Sequence, residues 1–410
     1  MRRRRLLLGV YLPVMVFEVG IGAILPVIAL SATRLGASLA EAGLVVSLLA
    51  VGQIVGDVPA GAVAARLGDR RAMLVAAIAS VVVLAGAALS TELWALATCL
   101  LVLGAINAVF MLARHSYLAE TTPVLERARA LSTLAGLQRI GTFLGPFLGA
   151  GLMHLYGLRA AWWLAVATSL VAALVVALVP DGDHTARTGP RVPAWQVLRE
   201  HRHVFATLGL AVLMVGAVRG SRQTVLPLWA EHLGLSPATT SLVFGLSGAV
   251  DMLLFYPAGR LMDLRGRLWT AIPSMLVLAV GFALLPLSSS VTTIAWAAML
   301  IGLGNGMGSG ILMTIGADVA PPAVRAQFLG IWRLCQDAGG AAGPLLVAGG
   351  AALGSLAAGI WAMAGVSVAS AAGLARWAPR FSAHATRGPG APGEQGAPGE
   401  QGAPPTAADG

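Results

Sequence analysis

Apolar residues in this chain run in long blocks and do not alternate with polar ones. Ala72 to Leu89, for example, contains no charged residue. Such blocks have the length of about 20 residues that carries a helix across a hydrocarbon core about 30 Å thick. A transmembrane barrel would alternate in segments of about ten residues, so the pattern predicts helices. The predicted spans are 7–30, 40–64, 72–90, 93–113, 130–153, 160–179, 204–228, 238–261, 269–287, 292–315, 327–351 and 355–376, twelve in all. The expected fold is therefore an all-α polytopic membrane protein with twelve transmembrane helices in two pseudo-symmetric six-helix bundles.

The two halves are visible as an internal repeat. A shift of 198 residues superposes Pro59 on Pro257, Gly61 on Gly259, Gly68 on Gly266, Gly104 on Gly302 and Asn107 on Asn305. The same shift places Glu120 on Asp318, Pro123 on Pro321, Arg127 on Arg325, Gly145 on Gly343 and Pro146 on Pro344. Rare residues matched at one ungapped offset indicate parallel repeats, which predict alternating access around a central cavity. The expected domains are 1–179, a loop at 180–203, 204–378, and a tail at 379–410. Within the loop, Trp195 to Arg202 has the composition of a short interfacial helix. In the tail glycine recurs every third residue, from Gly390 to Gly402, and a disordered cytoplasmic segment is expected.

Composition agrees with membrane insertion: 57% of residues are hydrophobic, 11% are charged, and the mean hydropathy is +0.80. The net charge of +9 would suggest nucleic acid in a soluble protein. Here the arginines gather at alternate loops: Arg66, Arg70 and Arg71; Arg114, Arg127 and Arg129; Arg187 to Arg202; Arg265 and Arg267; and Arg325. The opposite loops hold only Arg34 and Arg159. This asymmetry makes the charge topogenic and predicts a multi-pass protein of the inner membrane with both termini cytoplasmic. Arg2 to Arg5 and the following apolar run read as a retained first helix. Cys99 and Cys335 fall within apolar spans and read as packing residues. No P-loop, metal-ligand spacing or serine-nucleophile motif is found, so neither an enzyme nor a cofactor is expected.

The hairpin after the second span is GAVAARLGDRR, Gly61 to Arg71, and its echo is GRLMDLRGR, Gly259 to Arg267. With the span count and the repeat, these hairpins resemble those of the major facilitator superfamily over about residues 6–378. The family pattern Gly-x-x-x-Asp-Arg-x-Gly-Arg-Arg is met by Gly61, Arg66, Gly68, Arg70 and Arg71, with Ala65 at the acidic position and Asp69 at the first of the two final basic ones. The echo keeps the acid, Asp263, with Gly259, Gly266 and Arg267. The family's span-four arginine is absent, since Leu100 precedes Gly104 by four. Its span-five motif is complete in Gly141, Gly145, Pro146 and Gly149, and the resemblance associates this motif with proton-coupled exporters. Physically, Gly61 and Gly68 permit close helix approach, the hairpin arginines suit helix C-termini or anionic lipid, and the glycine–proline pair kinks and packs its helix. The hairpins are candidate gate latches.

Ionisable residues within spans are costly unless paired or wet, so they carry the candidate chemistry. These are Glu18, Asp57, Arg139, Arg219, Arg222, Asp251, Arg333 and Asp337. Proton coupling needs a carboxylate that is neutral in one conformation and charged in another. Glu18 is the first choice, followed by Asp251 and Asp57. The resemblance implies that spans one, four, seven and ten line the cavity, which selects Glu18, Arg219 and Arg222, with Phe110 and Met111 as adaptable apolar contacts. Arg333 and Asp337, four apart, share a helix face, and the repeat sets Asp337 opposite Arg139 as a charge pair between the halves. The expected function is export of small organic or drug-like molecules by proton antiport, from a monomer whose partners are substrate, protons and lipid. The alternatives are proton-coupled import of an organic anion, suited to Arg219 and Arg222, and a non-transporting sensory protein of the same fold.

Overall fold

Prolines, glycines and serine caps set the bounds of the helices. The computed structural model describes residues 7–122, 127–178, 194–382 and 385–386. The tail from 387 and most of the inter-half loop lie outside the described residues, as do the side chains of Ala65, Arg127, Arg129 and Asp263. The first predicted span is bent by 43° between Ile24 and Val27, giving α1 (Leu12–Ile24) and α2 (Val27–Arg34). Pro26 lies in the break; it has no N–H to donate, and its ring crowds the preceding turn.

The first half continues with α3 (Leu39–Leu67), α4 (Asp69–Leu89), α5 (Leu93–Thr121), α6 (Arg127–Tyr156) and α7 (Arg159–Ala177). A short helix, α8 (Ala194–Glu200), occupies the stretch predicted as interfacial, with Trp195 exposed and Val197 buried. The second half comprises α9 (Leu210–His232), α10 (Pro237–Arg265), α11 (Leu268–Leu284), α12 (Val291–Met307), α13 (Ile311–Val319), α14 (Arg325–Ala352) and α15 (Leu356–Phe381). The predicted span 292–315 is thus broken in two, at a turn where Gly310 takes the left-handed φ of +78°.

Among the described residues nine helices are long and apolar enough to cross a membrane, or ten with the bent α1–α2 pair. The remaining long helices, α6 and α14, have 30 and 28 residues but also carry charged side chains, Arg139 in one and Arg333 and Asp337 in the other.

Packing follows the sequence repeat. In the first half α1 contacts α6 and α7, α3 contacts α5, and α4 contacts α5 and α7. The counterparts are all present: α9 with α14 and α15, α10 with α12, and α11 with α12 and α15. Caps repeat too. Ser38 accepts from the Glu41 N–H in a capping box at the start of α3, and Ser236, 198 residues on, accepts from the Thr239 N–H at the start of α10. Gly68 and Gly266 end α3 and α10 with φ of +79° and +101°, conformations that a side chain disfavours.

The glycines of the span-five motif bring α6 into backbone contact with α1. A Cβ on Gly145 would collide with the Val19 carbonyl, and one on Gly141 with that of Met15. Gly339 and Gly343 of α14 meet Leu213 and Ala217 of α9 in the same way. Because both halves use this contact, close packing accounts for it.

The halves touch along α3–α14 and α6–α10. Opposite the basic hairpins they are drawn together: a Cβ on Gly43 would lie 3.0 Å from the Ala348 Cβ, and the Thr33 hydroxyl donates to Glu231 at 3.1 Å. At the hairpin ends of α3 and α10, a Cβ on Gly61 or Gly259 would meet nothing within 4 Å. The close approach expected of Gly61 is therefore absent in this conformation.

Candidate substrate and coupling site

Between α6, α9 and α10 lies a cavity of about 330 Å³. Its polar wall comes from both halves: Gln138, Arg139 and Thr142 on one side, and Arg222, Gln223, Asp251 and Asn305 on the other. Aromatic and small residues, Phe143, Phe244, Gly245 and Gly248, complete it. This is the usual make-up of a ligand site, an apolar hollow with a few convergent polar groups.

Asp251 is the junction of this wall. One of its oxygens accepts from Arg222 at 3.0 Å and from the Asn305 amide at 2.7 Å. The other faces Arg139, from the opposite half, at 3.8 Å. Arg139 also donates to Ser309, which the α12–α13 break presents to it. Behind Asn305, Arg219 donates to its side-chain and backbone oxygens, each at 2.9 Å. Three arginines thus surround one carboxylate. Arg222 also lies 5.7 Å from the Phe244 ring centroid, with its charge over the aromatic face.

Glu18 is placed differently from the expectation. It is 6% exposed, does not line the cavity, and accepts from the fully buried Arg114 at 2.9 Å. The second Arg114 nitrogen donates to Gln138 at 2.8 Å, and Thr142 donates to Glu18 at 3.3 Å. Gln138 and Thr142 line the cavity, so the Glu18–Arg114 pair stands directly behind its wall. Reading Arg114 as a loop charge is corrected here: α5 runs to Thr121 and carries Arg114 inside the bundle. The signal was a lone arginine four residues from Phe110 on one helix face, its guanidinium 6.0 Å from that ring.

Two further expectations are corrected. Phe110 is fully buried and stacks on Phe17 with centroids 4.5 Å apart, so it is core and does not face substrate. Arg139 and Asp337 do not pair: Arg139 meets Asp251, while Asp337 accepts from Arg333 on its own helix at 3.4 Å. Symmetry of the sequence did not extend to these charges, because the counterpart of Asp251 is Gln53 and that of Arg222 is Ile24.

A second cavity, of about 540 Å³, lies between α3, α5 and α14. It collects Asp57, Met111, His115, Arg333 and Asp337 among mainly apolar neighbours. Asp57 and the Arg333–Asp337 pair are therefore grouped with each other, apart from Asp251.

The hairpin residues serve as helix-end contacts. Arg70 donates to the Val176 and Ala177 carbonyls at 3.2 and 2.8 Å, capping the C-terminus of α7, where a cation suits both the orphan carbonyls and the helix dipole. Arg267 pairs with Asp318 at 3.0 Å. Arg66 and Arg71 are exposed. Among the described residues no group of three or more His, Cys, Asp or Glu is placed to hold a metal.

The model of the Major Facilitator Superfamily matches residues 8–344 and, separately, 208–401. A multidrug resistance protein, MdtH, of Photorhabdus laumondii is 24% identical over 292 residues, which are 69% of this chain and 71% of that protein. A chloramphenicol resistance protein of Streptomyces lividans is 28% identical over 322 residues, 77% of this chain and 81% of that one. The crystal structure of the nucleoside transporter NupG (D323A mutant) has the same fold, with a TM-score of 0.74 at 14% identity, over 90% of this chain and all of that one. The solved structures that share the fold, a nucleoside transporter and a D-xylose-proton symporter among them, are of transporters, not enzymes. The chain belongs to the Major Facilitator Superfamily of membrane transporters.

Proposed function

We propose that the protein is a proton-coupled secondary transporter that exports small organic molecules, with the cavity at Asp251 as its central site. Twelve spans, the ten apolar candidates with α6 and α14, form two pseudo-symmetric bundles that rock about the α3–α14 and α6–α10 contacts. The bundles are residues 1–179 and 204–378, joined by 180–203 and followed by a cytoplasmic tail at 379–410. The basic hairpins lie on the cytoplasmic side of a bacterial inner membrane, by the charge asymmetry of the loops, where the exposed Arg66 and Arg71 meet anionic lipid.

One observation carries the coupling. Asp251 holds Arg222 of its own half and faces Arg139 of the other. A proton on Asp251 neutralises the link between the halves at the cavity wall and lets them separate; loss of that proton restores it. Asp251 therefore replaces Glu18 as the first coupling residue, because Glu18 is committed to a buried partner. Outward direction is supported by the resistance proteins among the relatives and by the complete span-five motif.

The three arginines around Asp251 favour a second reading, import of an organic anion with a proton. An anion that took the place of Asp251 on Arg139 and Arg222 would promote protonation of the displaced carboxylate, so anion and proton would bind together. A substrate that competes with the proton gives antiport instead. Proton exchange on substrate addition to purified protein in weakly buffered detergent separates the two. Release of a proton supports antiport, and uptake supports symport.

A further inference from the structure

On the face opposite the hairpins, α2, the end of α4 and the turn between α6 and α7 enclose a cavity of about 370 Å³. Arg34 and Arg159 both line it, with Ser31, Ser90 and Trp162. They are the two arginines that the loop pattern places on this side. Among the described residues, neither guanidinium has a carboxylate or other hydrogen-bond acceptor as partner. Of the acids of the same face, Glu41 is held by the Ser38 cap and Glu231 by Thr33, while Glu92, two residues beyond Ser90, is exposed and pairs with neither arginine among the described residues.

The repeat supplies an internal control. One repeat further on, Ser31 corresponds to Trp229, Ser90 to Ser288, Arg34 to His232 and Arg159 to Ala357. There, the Trp229 indole fills the corner, donating to Ser288 at 2.9 Å, and His232 packs on it with centroids 4.8 Å apart. In the first half the indole comes instead from Trp162 on α7 and donates to Ser31 at 3.0 Å. Trp229 thus stands at the place in the repeat of Ser31, which lines the cavity, and arginines stand where the second half has His232 and Ala357.

We propose that this cavity binds the phosphate diester of an anionic phospholipid in the outer leaflet, held between Arg34 and Arg159. Tyr156, which lines it, and Leu89 and Leu155, each next in sequence to a lining residue, are exposed and offer an apolar surface to the acyl chains. An apolar and aromatic border with arginines above it matches the chemistry of the headgroup level. The first turn of α7 begins at Arg159 without a side-chain cap, adding partial positive charge to the same place. The Trp162–Ser31 bond fixes one wall, so the site is built before any lipid arrives.

The test is native mass spectrometry of the full chain, released from detergent with phosphatidylglycerol or phosphatidylcholine. One phosphatidylglycerol should be retained in preference to phosphatidylcholine. In Arg34→Gln/Arg159→Gln it should bind about thirtyfold more weakly, from a loss of about fivefold per arginine. Arg34→Lys/Arg159→Lys should recover most of the binding. Both arginines are exposed, and an unaltered melting temperature excludes misfolding as the cause. Equal retention by wild type and the double Gln variant overturns the proposal. Competition by millimolar inorganic phosphate as effective as that by lipid also overturns it, in favour of a soluble anion.

Discussion

The hydroxyl of Thr33 donates to the carboxylate of Glu231 at 3.1 Å, and the two residues are 198 positions apart. That separation is the repeat itself, so residues at one pseudo-equivalent place in the two halves grip each other at the end of the bundle remote from the hairpins. A hydrogen bond to a charged group contributes about 1.5–3 kcal/mol. If it forms only in the conformation closed at this face, losing it shifts the conformational ratio about tenfold. Glu231→Ala should therefore lengthen the distance between spin labels at Thr91→Cys and Ser289→Cys, in a chain whose Cys99 and Cys335 are replaced by serine. An unchanged distance distribution would show that the contact does not hold this face closed.

The Glu18–Arg114 pair should behave as architecture. Removing one partner of a buried ion pair strands the other and costs about 3–5 kcal/mol, whereas replacing both by apolar groups of similar volume is often neutral. Glu18→Gln and Arg114→Met should each lower thermal stability markedly, and Glu18→Leu/Arg114→Met should recover most of it. Loss of proton coupling in Glu18→Gln at full stability would return Glu18 to the coupling role.

The glycines of α6 and the hairpins should separate folding from gating. Gly145→Ala puts a methyl against the Val19 backbone, which has no free side chain to yield, and should destabilise by about 1–3 kcal/mol. Gly61→Val meets open space in this conformation and should leave the melting temperature nearly unchanged. If the hairpin ends close during the cycle, its transport rate should fall at least severalfold. Normal transport by Gly61→Val would remove Gly61 from the gate.

Much of this architecture was legible in the sequence because it rests on local rules. Apolar block length and the glycine-bearing hairpins that end α3 and α10 each act within a few residues, and the repeat displays them twice. The bend at Pro26 and the turn at Gly310 have equally local causes, but long apolar composition around them masked both. The site was less legible for a different reason. Asp251 meets Arg139 over a separation of more than a hundred residues, and neither residue has its like in the other half, so no periodicity points from one to the other. Arg114 shows the same limit: an arginine near a helix end reads as topogenic until the helix is known to continue beyond it. The repeat conserves the scaffold, while the charges that would distinguish substrate from proton break it.

The central claim is that Asp251 exchanges a proton as the halves alternate. Its most direct test is substrate accumulation by inverted membrane vesicles under an imposed proton gradient, using a panel of drug-like compounds with wild type and Asp251→Asn, alongside exchange of labelled for unlabelled substrate without a gradient. Gradient-driven accumulation should fall by at least tenfold in the variant while exchange persists, because alternation survives and only its link to the proton is lost. Undiminished gradient-driven accumulation by Asp251→Asn would contradict the account.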